Sequence, residues 1–359
     1  MKKLPIKINA IITSECWTYY KMAIIETSPH QLAWLSSHMD LYMYHNFWSC
    51  FGENSRIYPL NYYNEILSIH EIPLQQVNIK NITQRIIDEI QSEHYIIIDC
   101  DFKMLFPDVF QNSKYHETLL YGFDQEREVF FSTVLQKSGK FEEVEIPFNH
   151  LLKSFESIYS YYKNSPQKMV ERRNYFYNIT QLQLKDNFCE DNSIYLMLKK
   201  IDYEIQGRKI KSSCFNEEAN IISESEFYTG MACLLVIQSD IQKICSESNI
   251  PLDVSKRFTL SLKKLYEHRC IIYLSMQWLI EKLVIDDQNT INSLDIYKQC
   301  CDNMNKLYLM ALKFNVVRDI SILKRIEEQL LEQYKLEYVN LLQFNNSAKA
   351  CYYLNQQLK

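Results

Sequence analysis

Tyr95-Ile96-Ile97-Ile98-Asp99-Cys100-Asp101, Thr118-Leu119-Leu120-Tyr121-Gly122-Phe123 and Val129-Phe130-Phe131 are three short apolar runs in quick succession. Runs this short, rich in β-branched and aromatic residues and bounded by polar turns, read as buried strands. Asp124-Gln125-Glu126-Arg127 is a polar turn, so the second and third runs form a hairpin. Lys140 to Ile146 follows a turn at Ser138-Gly139 and adds a fourth strand. Upstream, Asn81 to Ser92 places Ile82, Ile86, Ile87 and Ile90 on one helical face. Residues 6–12 read as a short strand or extended lead-in, followed by Cys16 and a helix from Trp17 to Glu26. Downstream, Pro147 opens a helix carrying Leu151, Leu152 and Phe155.

Beyond about residue 155 the pattern changes to helical spacing. Phe227, Met231, Leu234, Ile237, Ile241 and Ile244 recur at steps of three or four, as do Leu323, Ile326, Leu330, Tyr334, Tyr338 and Leu341. Breaks fall at Asn249 to Pro251 and at Asp286 to Asn289. The expected fold class is α+β: an α/β domain over 1–157, then an all-helical bundle over 158–359.

The chain has 359 residues, room for two domains. Only five are glycine, which argues against a glycine-cradled nucleotide site. The net charge is -5, and the strongest basic stretch, with Lys168, Arg172 and Arg173, is no longer than an ordinary solvated linker. Nucleic acid is therefore not expected as a partner. No apolar run reaches the length of a membrane span, and the start reads poorly as a signal peptide. Eleven cysteines at irregular spacing, with no CxxC pair, disfavour both a disulfide framework and a structural zinc site. Reduced thiols in the cytoplasm, and no bound metal, are the expectation. A grouping of His94, Asp99, Asp101 and His116 around a metal has no ligand spacing to support it.

Two residues stand out as chemistry. Cys16 lies between an extended segment and a helix N-terminus, where backbone N–H groups and the macrodipole favour a thiolate. His116 opens a strand, where rigid backbone can hold an imidazole toward a cleft. A thiol and an imidazole together make an activated nucleophile.

The segment from Tyr95 to Asp101, then Tyr115-His116, then Leu120-Tyr121-Gly122-Phe123-Asp124, resembles the N-terminal domain of the butirosin biosynthesis protein H family. Ile146-Pro147 and the following helix fit the same pattern. Tyr228-Thr229-Gly230 and Leu312-Lys313-Phe314 look like the helical tail of its longer members. The resemblance implies a papain-like cysteine-peptidase-like fold, with Cys16 as nucleophile and His116 as base. The third member, an Asp or Asn on the returning strand in the family, falls near Ser132-Thr133 here. Asn149 and Asp124 are substitutes if the fold brings them close. The oxyanion-binding Gln of the family falls at Ala10, beside Asn9.

The resemblance further implies cysteine-dependent acyl transfer, forming an amide bond in natural-product biosynthesis. The donor is an acyl group on the phosphopantetheine thioester of an acyl or peptidyl carrier protein, and the acceptor a small amine. The alternatives are a cysteine peptidase, or a non-catalytic accessory protein that binds a peptide synthetase or its carrier. Trp17 is expected to pack beside the nucleophile. The long apolar helices pair two chains as readily as they pack within one, so a homo-oligomer is compatible with them.

Overall fold

The computed structural model describes residues 1–51, 63–73, 76–107, 115–136, 139–163, 178–190, 192–216, 221–246 and 250–357. The basic residues Lys168, Arg172 and Arg173 lie outside these. In chain order the elements begin β1 (Lys2–Lys3), α1 (Cys16–Ile25), α2 (Gln31–His38), β2 (Leu41–Tyr44), β3 (Trp48–Phe51), α3 (Tyr63–Ile66) and β4 (Leu67–Pro73). They continue with α4 (Ile82–Gln91), β5 (Tyr95–Asp101), α5 (Phe102–Leu105), β6 (Tyr115–Asp124), β7 (Val129–Leu135), β8 (Phe141–Pro147), α6 (Phe148–Lys163) and β9 (Asn178–Leu184). The rest is α7 (Ser193–Gln206), β10 (Arg208–Asn216), β11 (Ile221–Thr229), α8 (Ala232–Cys245), α9 (Leu252–Leu283), α10 (Gln288–Val317) and α11 (Ile320–Gln357).

The protein is α+β: antiparallel sheets with helices, then the long helices α9–α11. Its contacts define two compact units, Met1–Pro29 with Tyr63–Phe188, and His30–Tyr62 with Cys189–Lys359. A single cut at 157 would fall inside α6 and would sever β9 from the sheet it joins.

In the first unit the strands run β4-β9-β5-β6-β7-β8, with β1 paired to β6, all antiparallel. Every residue of β5 is buried, which is why its sequence is continuously apolar up to Asp99 instead of alternating. Helices α4 and α6 pack against it. The β6–β7 hairpin turns at Asp124, whose Oδ1 accepts from the N–H groups of Glu126 and Arg127 at 3.1 and 3.3 Å. A bulge interrupts this pair between Leu120 and Gly122, where β1 crosses. Gly122 is required there, since a Cβ would sit 2.7 Å from the Lys2 carbonyl oxygen.

Residues 6–12, expected to be extended, join no sheet. Their backbone donors go to α1 instead: Lys7 N–H to the Ala23 carbonyl at 2.8 Å, and Ile11 N–H to Glu26 Oε1 at 2.6 Å. The segment is thereby held to the C-terminal end of α1.

The second unit corrects the all-helical expectation. It holds an antiparallel sheet, β10-β11-β2-β3. Phe227, placed by periodicity in a helical stripe, lies on β11, and the helix starts only at Ala232. Gly230 makes the turn between them at φ +58, with no room for a Cβ against the backbone of Glu204. On α11, Leu323, Ile326, Leu330 and Leu341 are buried as expected, but Tyr338 is exposed. Gln333 and Glu337 take the inward positions instead.

Those polar residues belong to a buried charge network. Arg269, fully buried on α9, places Nε 3.0 Å from Glu337 and Nη1 3.1 Å from Glu204. Gln333 donates to the other Glu337 oxygen at 2.6 Å and to the Cys300 carbonyl at 3.0 Å. Burial, reinforced by the Glu337 charge and opposed by Arg269, pushes Glu204 up from 4.5 to about 7. The folded state therefore binds more protons than the unfolded chain between these values. The stability this confers is complete below about pH 4.5 and is lost as pH rises through about 7. Glu26, raised in the same sense by its own burial, adds to the slope. His268, whose burial lowers its pKa, opposes it on the acid side. The contribution of Glu204 is isolated by comparison with Glu204→Gln. Urea midpoints of the two proteins should diverge between pH 4.5 and 7, the wild type losing about 2–3 kcal/mol relative to the variant. Parallel curves would show that Glu204 titrates normally.

A cysteine, a histidine and a glutamate at the start of helix α1

Cys16 is the first residue of α1, preceded by Glu15 in extended conformation. A helix this long has N–H groups in its first turn with no intrahelical acceptor, and they point toward any anion that forms there. His116 is the second residue of β6, opposite Cys100 of the fully buried β5. One turn along α1 from Cys16, on the same helical face, the Tyr20 phenol donates to the Glu117 carbonyl oxygen at 2.8 Å. This bond fixes α1 against β6 at the level of His116. Burial, together with the charges of Cys16 and Glu117, holds the Tyr20 proton on well above its ordinary pKa, so Tyr20 remains a donor.

The consequence is convergence. The Cys16 thiol, a His116 ring nitrogen and a Glu117 carboxylate oxygen all lie within 4.8 Å of one another. His116 Nδ1 is 3.0 Å from the Glu117 carbonyl oxygen and 3.3 Å from its carboxylate. The Phe102 ring stacks on the imidazole, centroids 5.2 Å apart. Cys16, His116 and Glu117 are all partly accessible, His116 at 26% and Glu117 at 13% of their side-chain surface.

The other residues expected to complete the catalytic group lie elsewhere. Ser132 is fully buried, its hydroxyl 2.6 Å from that of Thr118. Thr133 is fully buried beside Tyr19. They pair with Leu120 and Leu119 of β6, the nearer of which is three residues, roughly 10 Å, along the strand from His116. Asp124 is committed to its turn, and Asn149 is exposed on α6. Ala10 is buried and has no side-chain donor to offer, while Asn9 is exposed. Trp17 is half-buried, with the Lys21 ammonium 4.8 Å from its ring centroid. Asp101, from the weaker metal grouping, caps α5 through Met104 N–H and accepts from Ser157, and His94 pairs with Glu89.

Glu117 is the residue that sequence reasoning missed. The resemblance puts the orienting group on the returning strand, whereas the carboxylate here directly follows the histidine. Among the described residues no helix is long and apolar enough to cross a membrane, and no disulfide joins any two of the ten described cysteines. No protein-family model matches the chain, and no curated protein matches it.

Proposed function

We propose that this chain is a cysteine-dependent acyltransferase of papain-like type. The observation that carries the reading is the convergence of Cys16, at a helix N-terminus, with His116 and Glu117 on the neighbouring strand. His116 takes the Cys16 proton, and the thiolate attacks the carbonyl carbon of an acyl thioester. The tetrahedral oxyanion faces the first-turn N–H groups of α1. It collapses to an acyl-Cys16 thioester, and the leaving thiolate of a carrier-protein phosphopantetheine takes the proton from His116. A small amine then attacks the acyl group and passes a proton to His116, the amide leaves, and Cys16 is freed as the thiol. Glu117 orients the imidazole and offsets its positive charge, the role that a carboxylate plays in triads of this kind. Transfer is proposed for the cytoplasm, where carrier-bound intermediates and reduced thiols coexist. Hydrolysis of a peptide uses the same groups with water as acceptor.

Ala10 favours a second reading, since loss of one oxyanion donor typically costs about 100-fold or more. On that reading the protein is a non-catalytic accessory that binds a carrier or synthetase.

Intact-protein mass after incubation with a panel of acyl-pantetheine thioesters separates the two. Catalysis predicts a gain of one acyl group, absent in Cys16→Ala. No adduct and no thioester consumption with any donor would leave the accessory reading standing.

A further inference from the structure

We propose that Cys16, His116 and Glu117 form a binding site for a thiophilic divalent cation, of which Zn2+ is the best match. Among the described residues, this is the one group of three or more cysteine, histidine and acidic side chains whose donor atoms fall within reach of a single ion. Around a tetrahedral Zn2+, sulfur, nitrogen and oxygen ligands sit at about 2.0–2.3 Å from the metal and hence roughly 3.3–3.6 Å from one another. Donors already within 4.8 Å need only a small closure to reach that arrangement. The thiolate selects Zn2+ over Mg2+ or Ca2+, which prefer oxygen-only sets.

The scaffold supplies what a mobile cluster would lack. His116 and Glu117 stand on β6, paired there with Cys100 and Asp99 of the buried strand β5, and the Tyr20 bond to the Glu117 carbonyl holds the Cys16 end of α1 to β6. Three protein ligands in a partly accessible site leave the fourth position to water. Spacing in sequence could not reveal such a site, because Cys16 is a hundred residues from the other two ligands. Binding exchanges the Cys16 S–H bond for an S–Zn bond and releases the proton to solvent. A loaded site therefore masks Cys16 as a nucleophile. The inference stands on the ligand set and does not require acyl transfer; if transfer occurs, Zn2+ inhibits it.

The test uses the full chain and two readouts other than activity. The first is Zn2+ affinity, measured by competition with a chromophoric chelator, with Co2+ as a spectroscopic stand-in. The second is the alkylation rate of Cys16, followed by peptide mass so that the other ten cysteines do not interfere. One equivalent of Zn2+ should slow Cys16 alkylation at least tenfold, a chelator should restore it, and Mg2+ should leave it unchanged. Cys16→Ala and His116→Ala should each lose that equivalent and the thiolate-to-Co2+ charge-transfer band. Glu117→Gln, a near-isosteric change that spares the fold, should weaken Zn2+ at least tenfold. An unchanged alkylation rate in the wild type, equal protection by Mg2+, or wild-type affinity in Glu117→Gln would overturn the site. A failure here leaves the acyl-adduct experiment untouched, and the reverse is also true.

Discussion

His116→Ala is expected to slow thioester turnover at neutral pH by roughly 10²–10⁴-fold, the range a positioned general base contributes. Without the imidazole, Cys16 must ionise with only the helix N-terminus to help it, and an ordinary thiol has a pKa of about 8.5. The variant's rate should therefore climb more steeply from pH 7 to 9 than that of the wild type. That change in the pH profile is something a merely structural role for His116 would not produce. Glu117→Gln should fall between the two, because the imidazole keeps its hydrogen bond to the residue 117 backbone carbonyl but loses the neighbouring charge that offsets the imidazolium. Single-turnover consumption of an acyl-pantetheine, read across pH, measures all three proteins. If His116→Ala keeps the wild-type rate at pH 7, the proton goes to some other group and the dyad assignment is wrong.

The first unit was legible where the chain carries strong local signals. The Ile96–Ile98 run reads as a buried strand, and the β6–β7 hairpin followed from Asp124-Gln125-Glu126-Arg127 between two apolar runs. Cys16 and His116 were legible because helix starts and strand starts are local features. Their proximity is a tertiary fact, created by the Tyr20–Glu117 bond, and nothing in the spacing announces it. Elements held mainly by backbone pairing were illegible. The β9 segment Asn178-Ile179-Thr180-Gln181-Leu182-Gln183-Leu184 has a weak apolar pattern and takes its place between β4 and β5 through ladder hydrogen bonds. Strands β10 and β11, similarly polar in sequence, form a nine-pair hairpin inside a region whose flanks are helical. On α11 the buried face is rotated from the apolar period. Tyr334 and Tyr338 fit the apolar period, yet Gln333 and Glu337 face inward because their partners, the Cys300 carbonyl and Arg269, come from α10 and α9.

That rotation identifies the position on which the second unit depends most. Arg269→Met is expected to destabilise the protein by about 3–5 kcal/mol, the usual cost of removing one partner of a buried ion pair. Arg269 is fully buried and serves two carboxylates at once. Removing it does not strand them equally. Glu204, already pushed up to about 7 by burial, can keep its proton at neutral pH. Glu337 has no accessible surface, and among the described residues it would keep only the Gln333 N–H as a hydrogen-bond donor. The cost therefore falls on Glu337, through desolvation of a charge left without its counter-ion. A urea midpoint at pH 7 measures it, and a midpoint equal to the wild type would mean that water or a rearranged lysine replaces the guanidinium. The double variant Arg269→Met/Glu337→Leu separates the two sources of the loss. If the attraction itself stabilised the fold, the double variant should be as weak as the single one. If the stranded charge is the damage, the double variant should recover most of the loss, because an apolar pair of similar volume needs no counter-ion. Recovery is the expected result, since burial already outweighs the pull of Arg269 at Glu204.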